Sequence, residues 1–569
     1  MKNILEFGAV ADGMTDCTEA IQRAIDSAAA EGGGRIYFPA GKYVSRTIYL
    51  KDYCVLRLEA GSQILASLDY RTYGHPERKP LWSGGSGNPM WSQYWAFIVA
   101  IKTDGAGIEG EGVINGRGKY GENFPCLDDP EQRRPFLVVF DRCTNSFIRG
   151  VTLKDPAAYN FLGFDVRNMQ LHGVKVLSRQ SGNGDGLDFD GGRDVTISDC
   201  YVDAGDDAIS LKTTKKGEIC ERFTITNCIL KSRWAAIRLG TESTDSMRDI
   251  TVTGCVFEDC RDGLKLQTCG GALYENMVFT AITMRNVIRP FFITANRFRM
   301  SFDEKGAWPQ GSEIRDLLFS DFVIDMPPDG EEYDHTGFVI SGTKDTLIHG
   351  LSFRNIKVRF YGDNSEKNLD VPQLYNYSEQ YPEMPHLGDL PTGGVYVRYA
   401  RDIVFSDCTF KYKNPDARPI LFCDHAQVRL CNCSLDTGAQ GFCSQIEGAS
   451  VQPLKEEEEH ALLKSHEKAD TYYDFVDKMT NLAGCATAMK NKRLYGYDTE
   501  IELPSYITGC LSVSAVGSFK VWFDHKEIKI HVPGDYFWAN RVILKLPSGV
   551  RSVRLEAQLR GEPVVFYWN

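Results

Sequence analysis

The sequence predicts an all-β chain wound as a parallel β-helix, and three observations carry that prediction. Short strands recur at a nearly fixed interval. Each closes on a small Asn, Asp or Gly followed by an inward-facing apolar residue. Two Asp-Gly segments, Gly182-Asn183-Gly184-Asp185-Gly186 and Gly205-Asp206-Asp207, lie one interval apart. Strands this short bury no face alone, so only stacking them into a coil makes a continuous core.

In chain order, the first segment is Phe7-Gly8-Ala9-Val10-Ala11-Asp12-Gly13, followed by an Ala-rich amphipathic helix expected over Thr18 to Ala30. Gly32-Gly33-Gly34 stops that helix, and Arg35-Ile36-Tyr37-Phe38 reads as a strand. The glycine trio ends a helix where a phosphate loop begins one, so it gives no nucleotide site. The repeat then runs through Ile148-Arg149-Gly150-Val151, Leu171-His172-Gly173-Val174, Ile197-Ser198-Asp199-Cys200, Ile225-Thr226-Asn227-Cys228 and Val252-Thr253-Gly254-Cys255. Phe279-Thr280-Ala281-Ile282, Phe319-Ser320-Asp321-Phe322, Phe353-Arg354-Asn355-Ile356, Phe405-Ser406-Asp407-Cys408 and Leu430-Cys431-Asn432-Cys433 continue it. Small residues before the inward position suit the tight bend between adjacent sheets. Propeller blades would need a period nearer ~40 residues.

This coil is expected over residues 1–437. A charged, partly helical connector is expected over 438–470, around Lys455-Glu456-Glu457-Glu458-Glu459. A small accessory β-rich domain is expected over 471–569, from alternation such as Phe519-Lys520-Val521-Trp522-Phe523.

Composition excludes several function classes. The chain has 569 residues, 43% hydrophobic and 25% charged, which is ordinary for a globular protein. A net charge of −12 argues against nucleic acid or an anionic membrane as partner. No apolar leader precedes Phe7, and no run long enough to span a membrane occurs, so a cytoplasmic location is expected. Cys200, Cys228, Cys255, Cys408 and Cys433 share one place in the repeat and read as core residues of a reduced protein. Cys431 and Cys433 lack a second pair at ligand spacing, so no zinc site is expected.

The chemistry lies in the two Asp-Gly segments. Stacked on neighbouring rungs about 4.8 Å apart, they bring Asp185, Asp206 and Asp207 to one patch. Mutual repulsion raises the pKa of at least one, which makes an acid and a base from one residue type. Such a pair is what glycoside hydrolysis uses, and neither metal nor organic cofactor is implied. Counting from the inward cysteines sets Ser210, Arg238 and Lys265 in one outward column, and Lys212, Gly240 and Gln267 in the next. Lys212, Arg238 and Lys265 either hold a substrate carboxylate or neutralise Asp185, Asp188 and Asp207 and pair with Glu242. Asp188, Lys212, Arg238, Glu242, Lys265 and Gln267 are the candidate substrate contacts.

With Gly110-Glu111-Gly112-Val113-Ile114-Asn115-Gly116 and Asp416-Ala417-Arg418-Pro419, these motifs make residues 3 to 433 resemble the polygalacturonases and relatives, glycoside hydrolase family 28. The resemblance implies a right-handed β-helix and inverting hydrolysis of an oligosaccharide. Asp206 would be the general acid, and Asp185 and Asp207 would hold and deprotonate the attacking water. Inversion implies carboxyl groups ~6.5–9.5 Å apart. Where these enzymes carry Gly-His-Gly, this chain has Trp234-Ala235-Ala236, and where they carry Arg-Ile-Lys it has Lys265-Leu266-Gln267. The sugar is therefore a galacturonide or a neutral or different uronate sugar. A β-elimination lyase and a non-catalytic carbohydrate-binding β-helix are the alternatives. Aromatic residues in two insertions (Tyr70, Tyr73, Trp82, Trp91, Tyr94 and Trp95; Tyr361, Tyr375, Tyr377 and Tyr381) are expected to wall the groove and favour exo action.

Overall fold

The inward positions of the repeat fix the architecture. In the computed structural model Val151, Val174, Cys200, Cys228, Cys255 and Ile282 are all buried, as are Phe322, Ile356, Cys408 and Cys433. Each apolar side chain of Leu or Ile size placed there contributes roughly 1.5–3 kcal/mol of burial. The structure describes residues 1–74, 95–118, 134–298, 311–328 and 337–362, most of 382–435, and beyond that separate strands up to Tyr567.

The residue before each inward position adopts the left-handed backbone region: φ is 57° at Asp199, 54° at Asn227, 61° at Asp321, 51° at Asn355, 56° at Asp407 and 50° at Asn432. Asn and Asp enter this region at less cost than other L-residues because their short side chains bond locally. Stacked copies also bond to each other, as where Asn432 Nδ2 donates to Asp407 Oδ1 at 2.7 Å. The small residue is thus the corner of each rung. Ala281, with φ 54°, is the exception in the series.

The chain forms two compact units, Met1–Val287 with Asn296–Ile314, and Ile288–Ala295 with Arg315–Asn569. In the first, helix α1 (Thr18–Ala30) has the expected bounds and buries Ala20, Ile21, Ala24, Ile25 and Ala28 against the opening strands. Five strands carry the site: β1 (Phe161–His172), β2 (Leu187–Ser198), β3 (Ile209–Thr213), β4 (Ala235–Ser243) and β5 (Val256–Thr268). They pair in parallel, with Phe161 opposite Leu187, Leu187 opposite Ile209, Ile209 opposite Ile237 and Ile237 opposite Leu264. No described helix is long and apolar enough to cross a membrane.

In the second unit, parallel pairing joins Phe291–Thr294 to Phe338–Ser341, that strand to β6 (Val395–Ser406), and β6 to β7 (Leu421–Cys431). Phe319, Phe353 and Phe405, the first residues of three repeats, stack at 4.6 and 4.7 Å. Cys443–Gln445 and Ser450–Gln452 also pair in parallel with β7, so the ladder runs past the expected boundary at 437. The helical part expected around Lys455 lies outside the described residues. Further along, antiparallel pairing joins Phe519–Phe523 to Val553–Leu559 and that strand to Glu562–Tyr567. No described cysteine forms a disulfide, and all of them except Cys431 are buried.

Ala281→Asn is expected to raise the stability of the chain by about 0.5–1 kcal/mol, because the left-handed corner is there held by a residue that resists it. Urea denaturation of the two proteins side by side measures this.

Candidate active site

The ladder register decides which side chains meet. One column across the rungs reads Tyr159, Asp185, Asp207, Ala235 and Asp262, and the adjacent one reads Gly184, Asp206, Trp234 and Arg261. The backbone pairs that extend the strands confirm it: Gly186 N–H donates to Asp207 O at 2.8 Å, and Asp262 N–H to Trp234 O at 2.9 Å. Asp185, Asp206 and Asp207 therefore converge, each with a carboxylate oxygen within 4.8 Å of the others. The 4.8 Å limit applies to the nearest oxygens, one from each group. Successive rungs are only about 4.8 Å apart, and Asp206 and Asp207 are chain neighbours.

The glycines beside the acids are required by close approach. A Cβ on Gly205 would lie 2.0 Å from Ser181 O, and one on Gly186 would lie 2.2 Å from Ala208 O. The Asp185 loop is held from below. Asn160 Nδ2 donates to Asp185 O at 2.8 Å, and Ser178 Oγ to Gly184 O at 2.8 Å. Buried Arg134 donates to Asn183 Oδ1 at 2.9 Å and also bonds Gly182 O.

Charges differentiate the carboxylates. Asp207 accepts from Ala235 N–H at 3.1 Å and from Arg238 Nη1 at 3.0 Å. Asp206, partly exposed, is pushed up to about 7 by burial of its carboxyl and by the Asp207 charge, against the pull of Arg238 and Lys212. Asp185 lies well above the ordinary carboxyl range, first from burial and then from Asp188 and Asp206. Asp188 is pushed up to about 6 by burial, although Lys212 donates to it at 2.7 Å. Burial opposes the charge of Lys212, but Asp188, Tyr159 and Asp185 outweigh it. Asp206 is thus a proton donor beside Asp207, whose carboxylate is held by Arg238 and the Ala235 N–H. Asp185 Oδ1 is buried with no hydrogen-bond partner among the described residues.

Comparison with known proteins gives the family. The model of Glycosyl hydrolases family 28 matches residues 86–374, more than half of the chain. This chain belongs to glycoside hydrolase family 28. Residues 1–103 also match the rhamnogalacturonase A/epimerase, pectate lyase-like model. A probable polygalacturonase of Vitis vinifera is 26% identical over 366 residues, covering 60% of this chain and 73% of its own. The exo-poly-alpha-D-galacturonosidase of Dickeya chrysanthemi is 24% identical over 434 residues, covering 66% and 70%. Among solved structures, the Yersinia enterocolitica family 28 exopolygalacturonase has a TM-score of 0.59 at 20% identity, over 76% of this chain and 77% of its own. The protein is a glycoside hydrolase on a parallel β-helix of the polygalacturonase type.

Within this family 28 enzyme the expected cations are each paired. Lys212 bonds Asp188, Arg238 bonds Asp207, and Lys265 lies 3.7 Å from Asp262. Lys265 and Gln267 have no exposed surface, and Gln267 Oε1 accepts from Arg238 Nη2 at 3.4 Å. Glu242 is partly exposed and near enough to Asp188 and Lys212 to act on both. The column Ser210, Arg238, Lys265 has the expected register. The column Lys212, Gly240, Gln267 does not, because the pairing shifts after Leu211 and sets Thr213 opposite Ser243. Three carboxylate oxygens this close are also able to chelate a cation. Lys212 and Arg238 already supply positive charge to Asp185 and Asp207, which weighs against that use.

Sequence reasoning missed Tyr159, whose hydroxyl lies 3.1 Å from Lys212 Nζ, and also Arg134, Ser232 and Trp234. The signal for Tyr159 was its place one rung before Asp185 in the same column. Of the loop aromatics, Tyr73 is buried against Phe97, so it packs the core. Trp82, Trp91, Tyr94, Tyr375, Tyr377 and Tyr381 lie outside the described residues. His172 is a surface residue 3.0 Å from Ser198 Oγ.

Because Asp206 keeps its proton to about 7 in the folded chain, against about 3.9 when unfolded, the native state binds more protons between those values. Its contribution to stability therefore falls as pH rises through that window. Asp206→Asn should raise the thermal midpoint relative to wild type at pH 8 and leave it nearly unchanged at pH 4, as differential scanning calorimetry would show.

Proposed function

We propose that the enzyme hydrolyses α-linked galacturonide oligosaccharides with inversion, releasing units from a chain end. The observation that carries the reading is the trio Asp185, Asp206 and Asp207 with carboxylate oxygens within 4.8 Å and Asp206 pushed up to about 7. Asp206 gives its proton to the glycosidic oxygen as that bond breaks. A water between Asp185 and Asp207 loses a proton to them as it attacks the anomeric carbon. Two oxygens no more than 4.8 Å apart are close enough to share one water at about 2.8 Å from each. The unpartnered Asp185 Oδ1 is an acceptor for it. Exo action draws support from the name of the Dickeya chrysanthemi relative.

A second reading takes one carboxylate as a nucleophile. Retaining glycosidases place their carboxyl groups about 5–5.5 Å apart, with one acting as nucleophile. The anomer of the first product distinguishes the two. The decisive experiment digests end-labelled galacturonides, rhamnogalacturonan fragments and neutral α-galactosides, and follows the fresh product by proton NMR. The expected result is terminal galacturonate of inverted configuration. Retained configuration would overturn the water-activating role, a neutral sugar the galacturonide assignment, and a ladder of oligomers the exo action.

Asp206→Asn should lower kcat by about 10²–10⁴-fold. The wild-type rate should fall as pH rises through about 7, where Asp206 loses its proton. Arg238 stabilises ionised Asp206, so Arg238→Gln should move that alkaline limb to higher pH, measured as kcat against pH.

A further inference from the structure

The column that carries Asp206 continues with an aromatic residue that the hydrolytic mechanism leaves unused. Trp234 stands one rung after Asp206, and Ser232 joins the two. Its hydroxyl donates to Asp206 O at 2.5 Å and accepts from Trp234 N–H at 2.7 Å. The backbone that carries the indole is therefore tied to the backbone that carries the acid. The ring is partly exposed, and its indole N–H has no hydrogen-bond partner among the described residues. The Arg261 guanidinium lies 4.3 Å from the ring centroid and Lys265 Nζ 5.8 Å from it. A cation against the ring orients it, and such stacking is worth ~0.5–2 kcal/mol.

We propose that Trp234, backed by Arg261, is the subsite for the leaving sugar, the unit whose glycosidic oxygen Asp206 protonates. The inference rests on the galacturonide reading above. Asp185 lies one rung before Asp207, so the attacking water enters on that side. Trp234 lies one rung after Asp206, on the opposite side, where the departing unit must sit. An indole offers a sugar its apolar face and a donor for a hydroxyl. Arg261 adds positive charge 4.3 Å from the ring, and that charge complements the carboxylate of a uronate seated on it. The subsite therefore suits an acidic leaving sugar better than a neutral one.

Two substrates separate this role from others. Trigalacturonate has a leaving sugar and needs an acid, whereas α-galacturonosyl fluoride has neither requirement. Trp234→Ala should lower kcat/KM on trigalacturonate by at least tenfold and hold the fluoride rate within about threefold, a split that a folding defect would not produce. Trp234→Phe should restore part of the trigalacturonate activity, and Arg261→Gln should raise KM for that substrate alone. Asp206→Asn should lose trigalacturonate hydrolysis and keep most fluoride hydrolysis. Equal losses on both substrates in Trp234→Ala, or none on either, would overturn the subsite. A wild-type enzyme inert to both galacturonides would overturn the galacturonide reading and the subsite with it.

Discussion

The spacing between rungs governs everything above it. Backbone ladders hold each turn of the coil about 4.8 Å from the next, so a side chain on one rung has its neighbours chosen by register. Left-handed corners at Asp199, Asn227 and their counterparts keep that register, because they return each strand to the same sheet. A polar group on the outer face thereby meets partners more than twenty residues away in sequence at contact distance. Asp207 and Arg238, in different rungs, show the result.

That confinement creates the electrostatic problem that the site solves. Several carboxylates share one patch, and water reaches few of them. Two cations lie among them, Lys212 bonded to Asp188 and Arg238 bonded to Asp207. Asp206 has no such close ion pair among the described residues, and burial beside Asp207 keeps its proton on. The difference between donor and acceptor is a matter of which neighbour each carboxylate received from the adjoining rung.

The coil was legible because its signal is repeated. A period-two pattern ending in Asn, Asp or Gly occurs many times, and each copy reinforces the others. The acidic trio was legible for the same reason, as a fixed offset between two Asp-Gly segments. Lys265 and Gln267 show the limit. Their outward direction follows from alternation, but their full burial depends on what packs over them. Lys212 fell out of its expected column because the ladder shifts after Leu211, an irregularity that no residue type announces. Arg134 and Ser232 were invisible because their roles lie in hydrogen bonds to backbone carbonyls, which any sequence offers everywhere.

The separation of inward from outward positions has an evolutionary consequence. Ile209, Ile237 and Leu264 stack inside while Ser210, Arg238 and Lys265 stack on the opposite face, so a change on that face leaves the apolar interior in place. The chain has Ala235 and Arg238 where a histidine-bearing rung stands in the polygalacturonases it resembles, and the interior of that rung is intact. Such a coil behaves as a keyboard of interchangeable keys.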